Sequence, residues 1–108
     1  MIWLACANCN PPPNSAEITT LSDYRNRHAL YKTDKALQNM HAWAPWIVTW
    51  DDHEVQNDYA NDRGADLDPQ FLVRRTAAYR AYFEHMPLSG VSVPRSASMR
   101  VYERYWYG

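Results

Sequence analysis

The sequence predicts an α/β fold built from short buried strands, three helices and a terminal strand. Three observations predict it. Capped stretches carry apolar residues at helical spacing, a β-branched and aromatic run is bounded by proline and by acids, and side chains alternate near the end of the chain. With 46% apolar and 14% aromatic residues, the 108-residue chain is composed to pack rather than to stay disordered. Its length suffices for one modest domain with a thin margin of stability.

Residues 2–5 are apolar and read as a first, short buried strand. They lack a basic flank and are too short for a signal-peptide core or a membrane span, so no export signal is expected in this chain. Cys6 and Cys9 follow at C-x-x-C spacing, which suits a redox pair or half of a zinc site. No second Cys or His pair at zinc-finger spacing and no βαβ unit supports either chemistry. Three consecutive prolines, Pro11 to Pro13, then Asn14 and Ser15 break the chain into a linker over 11–16.

Thr20 with Asp23 three residues later forms a capping signature, and Leu21, Tyr24, His28 and Tyr31 follow on one stripe. The first helix is expected over 21–32. Asp34 caps a second, shorter helix with Leu37, Met40, His41 and Ala44 on one face, ended by Pro45 because the residue before proline avoids helical angles. Residues 46–50 (Trp46, Ile47, Val48, Thr49, Trp50) read as a strand buried on both faces. Residues 51–66 are polar and without period, hence a loop. Asp68-Pro69 opens a third helix reaching His85, with Phe71, Ala78, Tyr82 and Met86 on its core side and Arg74, Arg75 and Arg80 on a solvated basic side. A linker over 88–98 leads to a terminal strand over 99–107.

A net charge of -1 argues against a dedicated nucleic-acid or acidic-membrane binder, which needs an excess of Lys and Arg. The acids are uneven: seven of twelve fall between positions 51 and 68, where Arg63 is the one strong base. Asp51, Asp52, His53 and Glu54 leave the end of the buried run together. Packed like charges repel, and a cation relieves them: Ca²⁺ takes carboxylate oxygens and iron also accepts imidazole. A solvated acidic turn with Asp capping is the equally weighted alternative from composition alone. His28, His41 and His85 fall on helices and read as structural histidines.

The run from Glu17 to Asp34 is similar to the segment preceding the metal loop in PhoD-like alkaline phosphatases. Leu37-Gln38, His41-Ala42 and Pro45-Trp46-Ile47-Val48-Thr49-Trp50-Asp51-Asp52-His53-Glu54-Val55 resemble that family's signature, as do Arg74-Arg75, Tyr79 and Glu84-His85-Met86-Pro87. The resemblance covers most of 17–88. It implies a fragment of the four-layer α/β/β/α sandwich of calcineurin-like metallophosphoesterases, a phosphate-ester substrate, and Fe³⁺ and Ca²⁺ as cofactors. Residues 1–108 are then a partial domain: a Cys-bearing strand over 1–10, a linker, the matching core, and a linker with a terminal strand over 89–108. The resemblance further implies Asp52 as a metal ligand and His53 as the group that touches phosphate or protonates the leaving oxygen. Asp51 and Glu54 are implied to orient that pair, and Cys6, with Cys9 as its neighbour and rival, is implied as an iron ligand. The family is typically exported to the periplasm or the exterior.

The family's Gly-Asp-x-x-Tyr element has no counterpart here, since the 11–16 linker stands in its place, and later ligand-bearing segments fall beyond Gly108. The expectation is a chain too incomplete to turn over substrate alone. A small non-catalytic interaction module with a solvated acidic loop and a C-x-x-C redox protein stay open as alternatives.

Overall fold

The first two helices begin where a side chain takes over an amide that the helix itself leaves unpaired. In the computed structural model, which describes residues 17–106 and 108, α1 spans Leu21–Lys32. Thr20 Oγ1 accepts the Asp23 amide at 3.2 Å, and Asp23 Oδ2 accepts the Thr20 amide at 2.9 Å, completing the capping box that the spacing predicts. Such a cap stabilises a helix by about 1 kcal/mol. Helix α2 spans Lys35–Trp43, with Asp34 Oδ1 accepting the Leu37 amide at 2.9 Å. It stops at Ala44, which is extended ahead of Pro45.

Helix α3 spans Phe71–His85, ending where expected but starting later than Asp68-Pro69. The Asp68 carboxylate accepts the Gln70 amide at 2.8 Å and its carbonyl accepts the Phe71 amide at 3.0 Å, so this pair builds the turn into the helix rather than its first turn. Helices α1 and α3 lie side by side. Between them and the 50–59 segment sits a core of Tyr24, Val55, Phe71, Ala78, Tyr79 and Ala81, with Trp50, Tyr59, Met99 and Val101 packed against it. Trp50 is central to that packing: its ring meets Tyr79 edge-on at 4.8 Å and Tyr82 at 4.6 Å, and its Nε1 donates to Tyr59 Oη at 2.8 Å.

Two expectations are corrected. Among the described residues there is no β-sheet, only single antiparallel bridges, Ala60 to Arg63 and Arg95 to Ser98, each closing a tight turn. Residues 46–50 run without regular structure or a pairing strand among the described residues, and Ile47 is 58% exposed, against the expected burial on both faces. Residues 99–106 likewise pair with no described strand, with Met99 and Val101 facing the core and Trp106 84% exposed. The physical reason is that a strand's amides and carbonyls need a neighbouring strand, which composition cannot supply. The three helices are observed, the sandwich layers are not. The strand expected over 2–5, the 11–16 linker, Cys6 and Cys9 lie outside the described residues.

The second correction concerns Arg74, which is 7% exposed and belongs to the core side of α3 rather than to a solvated basic side. It sits three residues after Phe71 and four before Ala78, on their stripe, and its burial is offset by hydrogen bonds described below. Arg80 is solvated as expected, paired with Glu84 one turn on. The helical histidines are packed: His28 stacks on His85 at 5.1 Å, and His41 stacks on Trp46 at 4.1 Å. No described helix is long and apolar enough to cross a membrane.

Candidate functional site

The 46–50 segment ends in a sharp polar turn. Asp51 is extended, Asp52–Glu54 form one turn of 3-10 helix, and the carbonyl of Asp52 accepts the amides of Val55 at 2.9 Å and Gln56 at 3.0 Å. Short polar side chains suit such a turn because they satisfy nearby backbone groups. Glu54 Oε2 accepts the Asp51 amide at 2.6 Å, and Asp52 Oδ2 accepts the Asp58 amide at 2.6 Å. Asp58 itself takes a left-handed conformation, φ 56°.

Asp52 and His53 are brought together, with Oδ2 3.8 Å from Nε2 and side chains 28% and 53% exposed. The Asp58 amide holds the Asp52 carboxyl below the usual carboxylate range, with His53 assisting. Asp52 is therefore ionised at neutral pH. Glu54 goes the other way, because burial raises it by more than the hydrogen bond from the Asp51 amide lowers it, and Asp51 and Asp52 add a smaller repulsion. Two carboxyl groups two residues apart thus have opposite tendencies, set by hydrogen bonding in one and burial in the other.

Asp51, His53 and Glu54 line a cleft of about 700 Å³ whose walls also carry Glu17, Arg27, Lys32 and Arg74, so its acids and strong bases balance, and Arg74 is paired with Glu17. As donors, the carboxylate of Asp52 and the imidazole of His53 suit the cations that the sequence implies. Their number does not suffice: among the described residues no group of three or more His, Cys, Asp or Glu side chains converges to hold an ion. Any closed site draws further donors from elsewhere, and Cys6 lies outside the described residues.

Sequence reasoning missed the residues that grip the turn from behind. Tyr24 Oη donates to the Val55 carbonyl at 2.6 Å, and Arg74 and Gln56 both reach Glu17. One sign was available: Arg74 falls at helical spacing between two core residues, Phe71 and Ala78.

Residues 5–108 match the family described as PhoD-like phosphatase. The chain is 54% identical over 98 residues to alkaline phosphatase D of Bacillus subtilis (strain 168), a match covering 88% of this chain and 17% of that protein. It also superposes on a solved structure titled "Structure of PhoD" with a TM-score of 0.82 at 54% identity, covering 88% of this chain and 19% of the other. The chain therefore spans under a fifth of the length of the relatives it matches, while nearly all of its own length carries the family's pattern. By the match over residues 5–108, the chain belongs to the PhoD-like phosphatase family.

Proposed function

We propose that the Asp52–Glu54 turn belongs to the active centre of a metal-dependent phosphoric-ester hydrolase acting on phosphate monoesters or diesters. The observation that carries this reading is the pairing of Asp52 with His53 in a chain 54% identical to an alkaline phosphatase D. Residues 1–108 are then part of a larger layered α/β domain, and the chain is inactive by itself. Export of the parent protein belongs to the same proposal.

In this reading His53 delivers a proton to the leaving oxygen or contacts phosphate, a role suited to imidazole because it exchanges a proton near neutral pH. Asp52 is one ligand of the bound cations, for which Fe³⁺ and Ca²⁺ are the candidates, and Cys6 is a candidate ligand to iron. When bound, such ions grip phosphoryl oxygens and lower the pKa of an attacking water. Asp51 and Glu54 orient the pair, since the bond from the Asp51 amide to Glu54 Oε2 closes the turn on which Asp52 and His53 ride.

The test is a graft. Residues 17–106 replace the matching segment of the Bacillus subtilis alkaline phosphatase D, and hydrolysis of p-nitrophenyl phosphate is measured with Fe³⁺ and Ca²⁺ supplied. The expected result is an active chimera in which Asp52→Asn or His53→Ala lowers kcat about a hundredfold or more. A folded chimera whose rate ignores both substitutions sinks the assignment.

A further inference from the structure

The 3-10 turn carrying Asp52 and His53 is capped by Val55, which is 2% exposed, and the carbonyl of Val55 has a partner from a distant part of the chain. Tyr24, 31 residues earlier on α1, donates its hydroxyl to that carbonyl at 2.6 Å. The same hydroxyl oxygen accepts Arg74 Nε, from α3, at 2.8 Å, and Arg74 Nη1 reaches Glu17 at 2.7 Å. Tyr24 is 3% exposed.

The chemistry of these groups fixes the direction of the relay. A guanidinium only donates, so Arg74 occupies a lone pair of the Tyr24 oxygen and leaves its single proton for Val55. Burial pushes the Tyr24 hydroxyl above its ordinary pKa, so the proton stays in place at neutral pH. Phenylalanine fills nearly the same volume without any polar group to satisfy. A core that needed only volume at position 24 gains nothing from a phenol that demands a buried arginine beside it. What the phenol adds is a directional tie among α1, α3 and the turn, of the kind that selects one arrangement of a loop.

We propose that Tyr24 and Arg74 are positioning residues that hold the Asp52–His53 turn in place through the Val55 carbonyl. The inference rests on the assignment of Asp52 and His53 made above. It deepens that reading by naming what keeps a partly exposed polar turn at one angle to the helices.

Amide hydrogen exchange of the 108-residue chain, read residue by residue by NMR, tests it with Tyr24→Phe and Arg74→Lys. Three amides report on the turn: Val55 and Gln56, both donating to the Asp52 carbonyl, and Asp58, donating to Asp52 Oδ2. In Tyr24→Phe these three are expected to exchange about tenfold faster, while the α3 amides of Ala78 and Ala81 stay within about twofold. Arg74→Lys keeps the positive charge but cannot offer the Nε and Nη1 donors together, so it is expected to quicken the same three amides to a lesser degree. Equal acceleration across α1 and α3, loss of folding in Tyr24→Phe, or an unchanged turn in both variants overturns the proposal. If the turn responds as expected but the chimera ignores Asp52→Asn, the active-centre assignment fails while the grip of Tyr24 and Arg74 on the turn stands. If the chimera needs Asp52 and the turn does not respond, the positioning proposal fails alone.

Discussion

Arg25 on α1 grips Glu84 on α3 with two parallel hydrogen bonds, Nε to Oε2 at 2.7 Å and Nη2 to Oε1 at 2.8 Å. Arg80 adds a third, Nε to Oε1 at 2.7 Å, from within α3. Planar guanidinium and carboxylate groups fit each other in this way, and the fork ties the two helices that frame the core.

The hydrogen bond from Arg25, foremost, and that from Arg80 push the Glu84 carboxyl down to about 2 from its ordinary 4.5. A folded-state pKa below the unfolded one contributes stability that is full above 4.5 and lost as pH falls toward 2. Glu84→Gln is expected to lower stability at pH 7 by about 1 kcal/mol or less, because Arg25 is largely exposed to solvent. Thermal melts check the sign: the gap between the two proteins should close by about pH 2. A gap of equal size at pH 7 and pH 2 refutes an ionic origin.

His28 is pushed down to about 4 from 6.5, chiefly by burial and then by the neighbouring His85 and Lys32. The unfolded chain therefore binds a proton at this site that the folded chain rejects, and stability is expected to fall as pH drops from 6.5 to about 4. His28→Phe removes the titrating group while keeping a ring against Tyr82 and His85. Urea midpoints measured at pH 7 and pH 4.5 should differ less in this variant than in the parent chain. An unchanged difference assigns the acid sensitivity to other groups.

Gly64 is buried where no side chain fits. A Cβ built there stands 2.4 Å from Gln56 Oε1, 2.8 Å from Asp66 Oδ1 and 3.0 Å from Phe71 Cδ2. Gly64→Ala is expected to destabilise the chain by about 1–3 kcal/mol, since the surroundings must shift to admit a methyl group. Denaturant unfolding gives the number, and a neutral or stabilising result shows that the Gln56 side chain simply swings aside.

Phe71 is among the largest fully buried side chains and meets the ring of Tyr59 at 5.4 Å. Phe71→Ala is expected to cost about 3–5 kcal/mol, which at the thin end of the roughly 5–15 kcal/mol range for such domains leaves little stability. Circular dichroism at 25 °C should then report largely lost helix, whereas native helicity with a midpoint close to that of the parent chain contradicts the expectation.

The helices were legible because their signals are local. Thr20 with Asp23, Asp34 before Leu37, and Pro45 after Ala44 act within one turn of the chain, and the observed limits of α1 coincide with the expected ones. That 46–50 would run without a pairing strand among the described residues was not legible, because whether a partner stands beside it is not decided within any local window. The turn at 51–54 was visible as a cluster of acids, yet the opposite tendencies of Asp52 and Glu54 were not. They depend on which amide reaches which carboxylate and on how deeply each is buried.

Arg74 shows the same divide most sharply. Sequence by itself determined the helix it rides on and the family to which its neighbourhood points, while Arg74 was expected to lie off the stripe of Phe71 and Ala78 that it in fact shares. Only the tertiary structure decided that the charge turns inward, because a buried guanidinium is tolerable just where distant acceptors converge on it. Here those acceptors are Tyr24, 50 residues away, and Glu17, 57 residues away. Propensity and capping are properties of neighbours along the chain, while the cost of burying a charge is settled by neighbours in space.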